Sequence, residues 1–75
     1  MRPAPSPGAF DLSPREMEVL RALADGLSAQ ETWKLLGITM STYRSHVHKI
    51  LEKLGAKSSL QALVTALRNG LVTLP

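Results

Sequence analysis

Recurring helix stop signals constrain the fold of this 75-residue chain more than any other feature. Four glycines each follow an apolar stretch of helical periodicity: Gly26, Gly37, Gly55 and Gly70. Glycine at this position readily adopts the left-handed conformation with which many helices end. Between the stops, β-branched and polar residues never alternate for long enough to form a strand. The pattern therefore predicts an all-α fold.

Helix start signals agree with these stops. Three sequences have the spacing of a capping box, in which a serine and the residue three positions later cap each other's backbone N–H groups. They run from Ser13 to Glu16, from Ser28 to Glu31 and from Ser58 to Gln61. The hydroxyl of Thr39 can cap one further helix. Starts and stops together predict four helices, at about residues 14–25, 29–36, 40–54 and 59–69.

Apolar residues recur at helical spacing in three of these helices, and we assign them to the core. They are Met17, Val19, Leu20 and Leu23 in the first helix, Tyr43, Val47, Ile50, Leu51 and Leu54 in the third, and Leu60, Leu63, Val64 and Leu67 in the fourth.

The chain divides at about residue 11. Residues 1–11 contain three prolines and a glycine, which predict a flexible segment, whereas residues 12–75 hold the four predicted helices and form one domain. Phe10 or Leu12 is expected to attach the segment to the domain. Such a beginning fits either a small protein that stands alone or a fragment of a longer one.

The second and third predicted helices are joined only by Gly37 and Ile38, before the Thr39 cap. A short helix, a tight glycine turn and a longer amphipathic helix are typical of the helix-turn-helix motif. Opposite its core stripe, the third helix carries a polar face that comprises Ser41, Arg44, Ser45 and His48, flanked by Thr42, Lys49 and Lys53. Donors of this size suit base edges in the major groove, and the flanking groups suit phosphates.

The distribution of charge supports a polyanionic partner. Residues 41–75 contain five Lys and Arg against the single acid Glu52, whereas residues 1–40 contain four against five. Clustered cations attract a phosphate backbone. The sequence therefore predicts binding to double-stranded DNA, with a recognition helix at about residues 40–54.

Many positions at fixed spacing carry a family resemblance. They are LSPREMEVLRALADGLS at 12–28, Glu31, LLGIT at 35–39, Thr42, Arg44, His46, Ile50, KLGAKS at 53–58, Ala62, Ala66 and the closing Gly70, Leu71 and Val72. With these residues the chain resembles the four-helix DNA-binding domain of LuxR-type bacterial transcription regulators. The resemblance implies a DNA-binding regulator of transcription whose third helix enters the major groove.

The resemblance also implies which residues contact DNA. Base contacts would come from Arg44, Ser45 and His48. Phosphate contacts would come from Ala29, Gln30, Thr42, Lys49, Lys57 and Ser58, to which we add Ser41 from the polar face of the third helix. Ala29 and Gln30 lack the positive charge that the family often has there, so the affinity for phosphate is expected to be weaker.

The fourth helix commonly forms the dimer contact in this family. Opposite its predicted leucine stripe lie four small or polar residues, Ala62, Thr65, Ala66 and Asn69. Small residues four positions apart allow two helices to approach closely, so we expect a homodimer through this face, formed either in free solution or only on DNA. The alternative is a solvent-exposed face in which alanine serves helix propensity.

Three positions depart from the family pattern. Thr32 and Trp33 stand where the family usually has isoleucine and alanine, and Tyr43 replaces a smaller aliphatic residue. We expect compensation, in which Thr32 leaves space that the indole or the phenol fills. The alternative is a protein-interaction module that contacts RNA polymerase or another regulator through exposed Trp33 and Tyr43. A sigma-factor promoter-recognition region shares the motif, but the fourth helix and the closing Gly70 to Val72 disfavour it.

Other classes of function have little support in the sequence. His46 and His48 would point about 200° apart on a helix, and no cysteine completes a metal site. His46 is expected to be half-buried. No catalytic or nucleotide-binding motif occurs, so we predict neither an enzyme nor a cofactor. The absence of cysteine and of a membrane-spanning apolar run favours a cytoplasmic protein.

Overall fold

The computed structural model describes residues 10–75, which form four helices and no strand. The helices are α1 (Pro14–Ala24), α2 (Ala29–Leu36), α3 (Met40–Leu54) and α4 (Ser59–Arg68). The predicted all-α fold is confirmed, and each predicted helix boundary holds to within one residue. None of the described helices is long and apolar enough to cross a membrane.

Two of the three predicted capping boxes form completely. The Ser13 hydroxyl accepts from the Glu16 N–H at 3.1 Å while the Glu16 carboxylate accepts from the Ser13 N–H at 2.9 Å, and Ser28 and Glu31 repeat the arrangement. At α4 only half of the box forms. The Ser58 hydroxyl caps the Gln61 N–H, but the Gln61 side chain accepts from the Lys57 N–H at 2.6 Å. Ser58 has a φ of −150° instead of the −72° of Ser13, and this more extended backbone turns its N–H away.

The α2–α3 turn depends on one left-handed residue. Gly37 has a φ of +67°, a conformation that carries a steric cost for any residue with a Cβ atom. Its N–H donates to Lys34 O at 3.2 Å, and the Ile38 N–H donates to Trp33 O at 3.0 Å. Carbonyls of the last turn of α2 are thereby satisfied, and α3 begins two residues later at the Thr39 cap.

The centre of the core lies between α1 and α3. Val19, Leu20 and Ile50 are almost completely buried there, as their apolar spacing predicted. Leu71 and Val72 cover one side of this core after α4 ends. The predicted core residues of α1 and α3 are all buried or half-buried.

The orientation predicted for α4 was wrong in part, since Leu63 and Leu67 of the predicted stripe pack partly against the core but Leu60 and Val64 do not. Ala62 and Ala66 have no exposed surface, whereas Leu60 is 72% exposed and Val64 is 36% exposed. Thr65 and Asn69 are half-buried, and the Asn69 amide donates to Thr65 O at 2.8 Å. The alanines allow α4 to approach the other helices closely, and Leu60 and Val64 lie on the outward side of the helix. The predicted dimer face of Ala62, Thr65, Ala66 and Asn69 is consequently turned toward the core.

The start of the domain is attached to the core by apolar side chains. Leu12 is buried and Phe10 packs partly against the core, so both residues expected to attach the N-terminal segment do so. Asp11 has a φ of +56°, and its carbonyl accepts a hydrogen bond from Lys53 at 2.7 Å. Residues 1–9 of the predicted flexible segment lie outside the described residues.

Candidate nucleic-acid interface

An aromatic contact joins the two helices of the helix-turn-helix motif. The Trp33 ring of α2 meets the Tyr43 ring of α3 edge-on, with centroids 5.7 Å apart and an interplanar angle of 61°. Thr32 is completely buried beside them, and its hydroxyl donates to Ser28 O at 2.8 Å. The two rings are packed against each other, and whether they fill space left by Thr32 stays a prediction.

The alternative of an exposed aromatic pair is wrong. Tyr43 is only 7% exposed, and Trp33 is half-buried against the core cluster. Burial raises the pKa of the Tyr43 phenol above its ordinary value, so this side chain stays neutral at physiological pH. Tyr43 therefore offers almost no surface for a contact with RNA polymerase or another regulator.

The polar face of α3 lies open to solvent as predicted. All six of its candidate DNA-contact residues are exposed: Ser41, Thr42, Arg44, Ser45, His48 and Lys49. Within residues 10–75, the side chains of Arg44 and Lys49 form no ion pair. Both cations are therefore available to a ligand that approaches this face.

One of the candidate base-contact residues already has a partner. His48 Nε2 lies 3.0 Å from Glu52 Oε1, one turn further along α3. Both side chains are largely exposed, and such a contact stabilises a helix very little. Sequence reasoning overlooked this pair, although its spacing of four residues is the usual signal for one. His48 is free to leave Glu52 when a stronger acceptor is present.

Lys53, which was expected beside the polar face, has a different role. Its ammonium lies 2.7 Å from Glu16 Oε1 and thereby connects the end of α3 to the start of α1. Glu16 is only 2% exposed. Burial by itself raises the pKa of this carboxyl, but the hydrogen bonds from Lys53 and Ser13, with the Lys53 charge, outweigh it and leave the pKa lowered. Glu16 is therefore ionised at neutral pH, and Lys53 is a structural cation.

The N-terminus of α2 offers backbone donors beside α3. Its first helical hydrogen bond runs from the Thr32 N–H to Ser28 O, so the N–H groups of Ala29 and Gln30 have no acceptor within the helix. Both residues are exposed. Glu31 places a carboxylate at the same helix end, and hydrogen bonds from the Ser28 backbone and hydroxyl lower its pKa. This negative charge opposes an incoming phosphate.

Two further candidate phosphate contacts lie where α4 begins. Lys57 and Ser58 are both exposed. The Lys57 backbone N–H is occupied by Gln61 and the Ser58 hydroxyl by the Gln61 N–H. The Lys57 ammonium and the Ser58 O–H donor are not used by this cap, because the Ser58 hydroxyl only accepts in it.

The histidines and acids do not form a metal site within the described part of the chain. No three His, Cys, Asp or Glu side chains of residues 10–75 come close enough together to hold an ion. His46 is half-buried and His48 is exposed, as their spacing on the helix predicted.

Comparisons with known proteins agree with this geometry. A family model described as "Bacterial regulatory proteins, luxR family" matches residues 11–66, which include α1, α2, α3 and most of α4. The chain is 45% identical over 58 residues to the uncharacterized transcriptional regulatory protein YxjL of Bacillus subtilis, covering 77% of this chain and 27% of YxjL. It is 39% identical over 61 residues to the response regulator protein VraR of Staphylococcus aureus, covering 81% of this chain and 29% of VraR.

A solved structure of the transcription factor GerE is also similar. The two chains superpose with a TM-score of 0.79 and 31% sequence identity, over 85% of this chain and 96% of GerE. The chain thus spans less than a third of the two curated relatives but nearly the whole length of the GerE chain.

Proposed function

Because the chain belongs to the LuxR family of bacterial regulatory proteins, we propose that it binds double-stranded DNA sequence-specifically and regulates bacterial transcription. In this proposal α3 enters the major groove, which is wide enough for a helix. Arg44, Ser45 and His48 contact base edges. The observation that carries the proposal is the exposed, cation-bearing face of α3, which follows the tight turn at Gly37.

Phosphate contacts surround this face in the proposal. Ser41, Thr42 and Lys49 flank the base-reading residues on α3. The N–H groups of Ala29 and Gln30 add a helix N-terminus, where the helix dipole favours an anion. Lys57 and Ser58 extend the contact to the start of α4. The carboxylate of Glu31 weakens the phosphate contact at α2, so most of the electrostatic affinity is assigned to Lys49 and Lys57.

Selection of bound duplexes from a random pool tests the proposal. We expect enrichment of one short sequence, and tighter binding of that cognate duplex than of a random duplex in a titration at fixed salt. Equal affinity for selected and random duplexes would contradict sequence-specific binding. The salt concentration must be held constant, because the phosphate contribution depends strongly on it.

Replacing Lys49 by alanine should weaken binding to cognate and random duplexes by the same factor. Loss of one phosphate contact also lowers the slope of log affinity against log salt by about one. Fluorescence anisotropy across a salt series measures both quantities. Arg21→Ala, which removes an exposed cation from α1, is the matched control and should leave the slope unchanged. A loss confined to the cognate duplex would instead assign Lys49 to base reading.

We also propose that the domain pairs on DNA as a homodimer through α4, by a face other than the predicted one. Leu60 and Val64 lie four residues apart and are exposed. Burying these side chains against a second copy removes apolar surface from water. Two copies related by a two-fold axis read inverted half-sites about one helical turn apart.

Replacing Leu60 by glutamine should lower the affinity for a duplex with two inverted half-sites by about tenfold, because the buried apolar contact is lost. Affinity for a single half-site should not change. Leu35→Gln, an equally exposed leucine of α2, is the control and should affect neither duplex. Sedimentation of the complexes gives the stoichiometry. One chain bound to the two-site duplex at saturation would contradict the dimer.

A further inference from the structure

The contact between α2 and α3 depends on Trp33 in two ways. The Trp33 carbonyl accepts from the Ile38 N–H at 3.0 Å, which closes the end of α2 at the turn. Its indole, on the same residue, reaches the Tyr43 ring in the first half of α3. Trp33 thus takes part both in the hydrogen bonding that ends α2 and in the packing of α2 against α3.

Tyr43 connects this contact to the base-reading face. Its ring is almost completely buried between the helices, which restricts rotation of α3 about its own axis. Arg44 is the next residue, about 100° further around the helix. The way in which the Tyr43 ring is held therefore contributes, with Ile50 and Leu54 of the same helix, to the direction in which Arg44 points.

The proposed DNA contacts are divided between the two helices that this aromatic pair joins. Ala29 and Gln30 lie at the start of α2, ahead of Trp33, and Arg44 and His48 follow Tyr43 on α3. A duplex can satisfy both sets only when the two helices hold one relative orientation. A small displacement of one helix relative to the other would misplace several contacts at once and so lower the affinity for DNA.

We propose that Trp33 and Tyr43 are positioning residues that fix the orientation of α3 relative to α2 and thereby determine the sequence specificity of the domain. The inference rests on the proposed DNA binding. Neither residue touches DNA in this scheme. Edge-to-face aromatic pairs have a preferred geometry, so they restrict the angle between two helices. A contact between an alanine and an aliphatic side chain, the residues that the family usually has at these two positions, has no such preference.

Replacing Trp33 by alanine tests the proposal. We expect the ratio of cognate to random affinity to fall by about tenfold. The variant removes both the buried contact area of the Trp33–Tyr43 pair and the preferred geometry of the two rings. Affinity for random duplex should remain within about twofold, since most of the nonspecific affinity is assigned to Lys49 and Lys57 and little of it to the N-terminus of α2. Trp33→Phe keeps a ring edge near Tyr43 and should retain most of the ratio.

A control separates positioning from a general loss of stability. Leu23→Ala removes a half-buried side chain of α1 that packs against the same core. It should destabilise the fold without changing the ratio of cognate to random affinity. If Leu23→Ala lowers the ratio as much as Trp33→Ala does, or if Trp33→Ala leaves it unchanged, the proposal is overturned.

A measurement without DNA keeps this inference distinct from the proposed function. Residual dipolar couplings of the free protein report the angle between α2 and α3. We expect that angle to change in Trp33→Ala and to stay unchanged in Trp33→Phe and Leu23→Ala. If Trp33→Ala fails to fold, Tyr43→Leu serves as the second variant, with the same expectation. An unchanged angle overturns the positioning role, whereas failure of the wild-type chain to prefer any duplex overturns only the proposed function.

Discussion

Replacing Lys53 by methionine is expected to lower the free energy of unfolding at pH 7 by about 2–3 kcal/mol, because it leaves the buried Glu16 carboxylate without its cation. Lys53 is itself 28% exposed in its side chain, so the loss is smaller than for a completely buried pair. A single core of this size rarely supplies more than about 3–5 kcal/mol, so most of the stability should disappear. Urea unfolding followed by circular dichroism measures the change.

The pH dependence identifies the source of this loss. The folded-state pKa of Glu16 lies below its ordinary value of 4.5, so its contribution to stability is present above that value and is lost as the pH falls through the folded-state pKa. Without Lys53, burial opposes ionisation, and protonation in acid relieves the penalty. The difference in stability between wild type and Lys53→Met should therefore narrow as the pH falls toward the lowered folded-state pKa of Glu16 in the wild type.

Two control variants test the same pair. Lys49→Met makes the same substitution at an exposed position of α3 and should change stability by less than about 0.5 kcal/mol. Glu16→Gln removes the charge that Lys53 neutralises, so combining it with Lys53→Met should cost less than the sum of the single changes. A stability difference that is constant with pH, or additive single effects, would contradict the assigned role of the pair.

Local signals explain how much of this fold could be predicted. Helix boundaries depend on neighbouring residues, such as Ser13 with Glu16 or Gly37 with its preceding turn, and these signals lie within a few positions of each other. The Lys53–Glu16 pair joins residues 37 positions apart. Its formation depends on how α1 packs against α3, and no local pattern contains that information.

The error in α4 has a different physical cause. Helical periodicity separates two faces, and the more apolar face is ordinarily assigned to the core. In α4 the core position is occupied by Ala62 and Ala66, because close approach of helices favours small side chains over large ones. The core face of α4 therefore runs through Ala62 and Ala66 with Leu63 and Leu67 partly buried beside them, so the predicted core stripe was wrong for Leu60 and Val64 only. On α3 the assignment was correct, since Tyr43 and Ile50 are large enough to fill the core.

Replacing Arg44 by alanine is expected to cost about 1–3 kcal/mol of binding free energy on the cognate duplex, which is roughly a tenfold to hundredfold loss of affinity. An arginine reads a base pair most often through two parallel hydrogen bonds to guanine, and alanine offers neither. Arg44 is exposed and has no ion-pair partner among residues 10–75, so its loss should leave the free domain folded. Titration of the cognate duplex and its single-base variants measures the affinity.

The pattern of loss distinguishes base reading by Arg44 from simple attraction of a cation to phosphate. Discrimination should relax at one base pair and persist at the others, because only the contact with that base pair is removed. Arg44→Lys retains the charge but loses the planar, paired donors, so it should keep the salt dependence while losing most of the discrimination. Equal losses on cognate and random duplexes would contradict base reading. They would place Arg44 with Lys49 as a phosphate contact, and the sequence specificity would then depend on Ser45 and His48.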